Sequence, residues 1–263
     1  MSEPLIALGR AGLAFAGRPV FVDAELAIAA GEVVIVGAPA GAGASALCAM
    51  LAGLVPATGD VRLAGHRVGK LRASSLTRLR RRLGVVPQDL ALLPDATARA
   101  NVELALAVAG VRAGEARRRA DAALAEVEVD GDLPIGCLGM AARQRVAWAR
   151  AFVRNPDVVL ADQPTSHQDG AGAARFVELL AARAADGAAA LVAARDATLA
   201  EAAARRGWRT LTIHQHRLVD VATIVVEDID AAPLVEAEIP RPTDDAVPNV
   251  VPFPLARSAG NRR

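Results

Sequence analysis

Apolar and polar positions alternate along this chain with two different periods, and the switches between them outline a repeated strand–helix order. Residues 5–28 mix short apolar stretches with glycines and charged residues, the pattern of a small strand-rich region. Residues 33–36, V-V-I-V, predict a buried strand, and residues 46–54 a Leu/Ala helix. Further strands are predicted over 60–63, 83–86, 158–161 and 188–193, and helices over 144–153, 173–185 and 199–206. Helical spacing dominates 98–127, with Val102, Leu104, Leu106 and Val108, then Ala120, Ala123, Leu124 and Val127. Residues 209–213 and 217–219 read as a closing hairpin. This order predicts an α/β domain with a mainly parallel sheet covered by helices.

The pattern stops near Asp220. Prolines 233, 240, 242, 248, 252 and 254 interrupt any element, and acids cluster at Glu227, Asp228, Asp230, Glu236, Glu238, Asp244 and Asp245. We read residues 1–220 as the folded domain and 221–263 as a Pro-rich acidic tail, expected to be disordered.

Composition narrows the picture. A net charge of +1 gives no bulk argument for nucleic acid or acidic lipid. The basic run 67–82 has no interleaved aromatics and is read as a solvated face, so no nucleic-acid partner is expected. Cys48 and Cys137 show no framework spacing, which suits a reduced, cytosolic protein. No secretory signal is read at the start. Residues 33–59 carry no charge over a bilayer-spanning length, but two prolines, clustered glycines and many alanines argue for a loop instead. His214 and His216 read as an H-x-H on one face of a strand, with exposed histidines favoured over a metal site.

The candidate chemistry begins at residues 33–54, V-V-I-V-G-A-P-A-G-A-G-A-S-A-L-C-A-M-L-A-G-L. Strand, glycine-rich loop and helix together match the phosphate-binding pattern G-x-x-x-x-G-K-[ST]. Gly41, Ala42 and Gly43 form the loop, and Ser45, followed by Ala46, takes the hydroxyl position. Ala38 replaces the first glycine, and Ala44 stands in place of the lysine. Lys70 is the only lysine in the chain, so no other lysine is available to substitute.

Four later segments follow in one order. They are R-R-R-L-G-V-V-P-Q-D-L-A-L-L-P-D-A-T-A-R-A-N-V (80–102), L-G-M-A-A-R-Q-R-V-A-W-A-R (138–150), V-V-L-A-D-Q-P-T-S-H-Q-D (158–169) and L-V-A-A-R-D (191–196). With the loop, they make residues 5–218 resemble the nucleotide-binding subunit of ABC transporters. The resemblance is to the FtsE type and the related lipoprotein-release and macrolide-export ATPases. It implies a P-loop NTPase fold with a parallel central sheet, an N-terminal antiparallel β-subdomain and an inserted α-helical subdomain at about 90–145. It implies ATP and Mg²⁺ as cofactors, a cassette dimer (homodimer or heterodimer with another ABC ATPase), and an FtsX-like membrane permease as partner. The location implied is cytoplasmic, peripheral on the inner face of the cell membrane.

Residue by residue, the resemblance places Gln88 at the magnesium-facing coupling glutamine. Asp162 becomes the magnesium carboxylate, and Ser45 completes that set. Phe15 falls near the adenine-stacking position, although a core phenylalanine explains it equally well. Gly139, Met140 and Ala141 replace the signature Ser-Gly-Gly that faces the opposite subunit's γ-phosphate. Gln163 stands at the catalytic glutamate and Arg195 at the switch histidine. An amide cannot take a proton from water, so the general base is gone, a loss of roughly 10²–10⁴ in rate. The implied protein is an FtsE-like subunit with weakened nucleotide binding and little or no hydrolysis. Two alternatives stand beside it: a working ATPase using displaced residues such as Arg195, and a regulatory module paired with an intact ATPase.

Overall fold

The computed structural model describes residues 3–39 and 41–223. The tail reading falls almost wholly outside the described residues. Two sheets organise the domain. The first is antiparallel, built from β1 (Ile6–Phe15), β2 (Arg18–Ile28), β4 (Thr58–Leu63) and β5 (His66–Arg67) in the order β2-β1-β4-β5. The second joins β3 (Val33–Val36), β6 (Leu83–Val86), β7 (Val158–Asp162), β8 (Ala189–Ala193), β9 (Arg209–His214) and β10 (Arg217–Asp220) in the order β10-β9-β3-β8-β7-β6. Its pairings are parallel apart from the β9–β10 hairpin.

The uninterrupted apolar strands follow from burial on both faces. Val33 and Ile35 join a core formed with the helices on one side, while Val34 and Val36 point into the core shared with the antiparallel sheet. Val159 and Ala161 against Val158 and Leu160 divide the same way. Helix α1 (Ala44–Leu51) packs into the core shared with the antiparallel sheet. Helix α2 (Ala73–Arg80) precedes β6. Helices α3 (Ala98–Val108), α4 (Ala113–Glu126) and α5 (Met140–Phe152) are inserted between β6 and β7. Helices α6 (Gly170–Ala185) and α7 (Ala197–Arg206) follow β7 and β8. The segment 98–127 is thus two helices, divided at Gly110, whose φ of 83° ends the first.

One sequence reading is corrected. His214 and His216 do not share a strand face. His214 ends β9, and Gln215 and His216 form the hairpin turn, with φ of 45° and 64°. A two-residue turn with positive φ at both positions matches the twist of the flanking strands, which outweighs strand continuation here. Among the described residues, no three His, Cys, Asp or Glu side chains gather as a metal cluster. No described helix is long and apolar enough to cross a membrane, because the uncharged stretch 33–59 is divided among a strand, a loop and a short helix.

Candidate functional site

The carboxyl ends of the parallel strands gather one loop each. β3 lies between β8 and β9, so the loop after it opens at the point where strand order reverses, the usual ligand crevice of such sheets. Gly41 and Gly43 take φ of 79° and 100°, a region that side-chain-bearing residues rarely adopt. A Cβ on Gly43 would also lie 2.4 Å from Val20 Cγ1. Gly43 caps α1 without a side-chain acceptor. The amide end of that helix therefore faces the loop with its dipole free for an anion. Ala42 and Ala44 pack against the core beneath the loop, and so does Phe15, half-buried at the end of β1. Ala46 is buried in the same core.

Three oxygen-bearing side chains converge beside the loop. Ser45 Oγ donates to Gln88 Oε1 at 3.5 Å and lies beside the carboxylate of Asp162. Asp162 ends β7 and is 7% exposed, and its Oδ1 is buried without a partner. Burial pushes its carboxyl above the ordinary range. The Ser45 hydroxyl and the Arg195 guanidinium pull it back, and Asp89 pushes it up again. Arg195 reaches this place because Asp162 pairs in register with Ala193, two residues before it. An unsatisfied carboxylate oxygen next to a hydroxyl and an amide oxygen is a hard donor set that fits a divalent cation such as Mg²⁺.

Gln163 follows Asp162 with φ of 49°, a costly conformation for a non-glycine residue. It is held by main-chain bonds. Its N–H donates to Ala193 O at 2.8 Å, and its carbonyl accepts from Ser166 N at 3.2 Å and Gln144 Nε2 at 3.0 Å. Gln144, only 1% exposed, also donates to Ser166 Oγ and accepts from His167 N and Gln168 Nε2. Trp148 Nε1 donates to Pro164 O at 2.9 Å. One face of α5 thereby fixes the segment 163–168.

The start of α5 is different. Gly139 caps it without a side-chain bond, a Cβ there would meet nothing within 4 Å, and Met140 is 45% exposed. Ala141 is half-buried, and its carbonyl accepts from Gln168 Nε2 at 2.9 Å. Gly139, Met140 and Ala141 therefore lie on the outer end of α5, separate from Ser45, Gln88 and Asp162.

Two carboxylates are committed to helix ends. Asp169 accepts from Gly172 N at 2.7 Å and caps α6. Asp196 caps α7 and also accepts from buried Thr165 Oγ1, which ties the loop after β8 to the loop after β7. This tie was not read from the sequence, although an Asp just before a helical run is a capping signal. Arg150 was likewise missed. Its guanidinium donates to the carbonyls of Leu90 and Ala91, which carry φ of 62° and 44° just after Gln88. Nothing local in sequence announces a contact across about 60 residues.

A parallel sheet with a glycine-turned loop at its switch point, facing a strand-end aspartate, defines a P-loop nucleotide-binding cassette. Residues 21–166 match the family model described as ABC transporter. The chain is 33% identical over 206 residues to the cell division ATP-binding protein FtsE of Escherichia coli, covering 77% of this chain and 91% of that protein. It is 40% identical over 185 residues to a lipoprotein-releasing system ATP-binding protein, LolD, of Rhodospirillum rubrum, covering 68% and 80%. Among solved structures, a dimeric bacterial ABC transporter cassette superposes with a TM-score of 0.74 at 28% identity, covering 81% of this chain and 96% of the other. The chain belongs to the ABC transporter ATP-binding family.

Proposed function

We propose that this chain is an FtsE-like ATP-binding subunit that couples to an FtsX-type membrane protein and hydrolyses ATP little or not at all. The observation that carries this reading is the pairing of Asp162 with Gln163. The carboxylate on the magnesium side is kept, buried and unsatisfied, while the neighbouring group that should take a proton from water is an amide. Ala44, packed on the core, adds the loss of a charge-assisted phosphate contact worth about 1.5–3 kcal/mol. Ser45, Gln88 and Asp162 would hold Mg²⁺, and Gly41, Ala42, Gly43 and the start of α1 would hold the phosphates. Bound ATP would supply cohesion between two cassettes, in a homodimer or with a second ABC ATPase. Met140 would stand where the partner's γ-phosphate approaches, with bulk in place of glycine. The subunit would sit on the inner face of the cell membrane through its permease. Its role is then to hold a nucleotide-dependent shape, in the way the FtsE relative's name ties that protein to cell division. The test is phosphate release by the purified chain reconstituted with its membrane partner. A background rate is expected, and turnover at the level of an intact cassette would overturn the reading.

A second reading has its own observation. Arg195 follows β8 beside the end of β7 and acts electrostatically on Asp162. If it replaces the lysine, Arg195→Ala abolishes nucleotide binding, and unchanged affinity in that variant removes the idea.

A further inference from the structure

Helix α2 and its flanks carry a charge pattern that the nucleotide site does not use. Residues 67–82 hold seven bases, Arg67, Lys70, Arg72, Arg78, Arg80, Arg81 and Arg82, and no acid. Three of them are committed. Arg67 pairs with Asp60, Arg82 pairs with Asp157, and Arg80 donates to the carbonyls of Ala52 and Gly53 at 3.2 and 2.8 Å. Lys70, Arg72, Arg78 and Arg81 are exposed and have no side-chain partner among the described residues. Arg78 and Arg81 stand three residues apart, on one face at the end of the helix, while Leu79 turns inward at 3% exposure.

The exposed apolar residue beside them is Leu54. At 63% it is the most exposed large hydrophobic side chain among the described residues. The Arg80 contacts place it there, since they latch the end of α2 to the residues just before Leu54. The fit is tight at Gly53, where an added Cβ would lie 2.9 Å from Val68 and 3.0 Å from Leu76. Unpaired cations on a helix latched next to a projecting leucine match a layer that is anionic at its surface and apolar just below it.

We propose that α2, its flanking cations and Leu54 form a direct docking surface for an anionic phospholipid bilayer. The cations would meet headgroup phosphates, and Leu54 would enter the boundary with the acyl chains. Nucleic acid fits less well, because the run contains no aromatic side chain to stack on bases. The proposal is independent of nucleotide chemistry and of any permease.

The test is co-sedimentation of the full chain with vesicles of phosphatidylcholine plus phosphatidylglycerol, against vesicles of phosphatidylcholine alone. Binding is expected only to the anionic vesicles and falls with added salt. Each reversed cation should weaken it by about fivefold or more. Arg72→Glu, Arg78→Glu and Arg81→Glu combined therefore lose binding, and Leu54→Ser weakens it at constant charge. A control triple elsewhere on the surface, Arg10→Glu, Arg18→Glu and Arg112→Glu, retains binding. If the first triple melts early, Arg→Gln at the same three positions replaces it. Equal loss in both triples, equal binding to neutral vesicles, or binding confined to a DNA duplex would each overturn the proposal.

Discussion

Gln144 donates to the main-chain carbonyl of Gln163 at 3.0 Å, so helix α5 grips the residue that follows Asp162 at the end of β7. The grip is on the backbone and does not depend on which side chain position 163 carries. Gln144→Ala would strand the partners of all four of its hydrogen bonds in a buried place. We expect a loss of about 3 kcal/mol, read as a lower midpoint in urea unfolding with the slope unchanged.

Ala44→Lys places a cation at the start of α1, beside the glycine turns of Gly41 and Gly43. Nucleotide affinity should rise by about tenfold or more, following one charge-assisted contact. Turnover should not return, because the amide at Gln163 still lacks a base. Titration with a fluorescent ATP analogue and phosphate release, run on the same sample, separate the two outcomes.

Burial raises the Asp162 carboxyl above its ordinary value of 3.8, so the ionised form burdens the nucleotide-free fold. The sign is fixed by linkage. The contribution to stability is fully present below the unfolded value and is lost as pH rises through the raised folded value. Asp162→Asn should therefore raise the melting temperature of the nucleotide-free protein at neutral pH. The gain should fade as pH falls toward 3.8. An equal gain at both pH values would contradict this. With Mg²⁺ and ATP added, the order should reverse, because the variant loses its charged ligand.

Arg150 secures two consecutive left-handed residues, Leu90 and Ala91, through their carbonyls. Its removal should free the segment after Gln88 without unfolding the sheet. In Arg150→Ala, amide hydrogen exchange should accelerate over residues 88–93 and remain slow in β6 and β7.

Cys48 is buried under the phosphate loop, and burial pushes its thiol far up, with Asp162 adding to the effect. Cys137 is exposed. Native alkylation should label Cys137 alone, with Cys48 reacting only after denaturation, as intact-mass measurement would show.

These expectations rest unequally on what the chain declares in one dimension. Strand β3 was legible to the residue, because four β-branched positions buried on both faces leave no other pattern. The loop was legible because only glycine suits positive φ where Gly41 and Gly43 stand. Ala44, Met140, Gln163 and Arg195 stand out in the sequence alone, as residues that differ from the motifs the chain resembles. The histidine pair was misread because H-x-H has the spacing of a strand face, whereas paired left-handed residues make a turn of it.

Apart from helix α2, which lies inside a run that reads only as a solvated face, the sequence by itself determined the order of strands and helices, the phosphate-loop geometry and which residue stands at each motif position. Each of these depends on local periodicity, on backbone permissiveness or on side-chain chemistry. Only the tertiary structure decided which groups meet. It set Ser45 beside Gln88, left an Asp162 oxygen buried without a partner, brought Arg195 within reach of Asp162 through strand register, and locked Gln163 onto Gln144. Those relations depend on parallel pairing and helix packing between residues far apart in the chain, and no local pattern encodes such pairings.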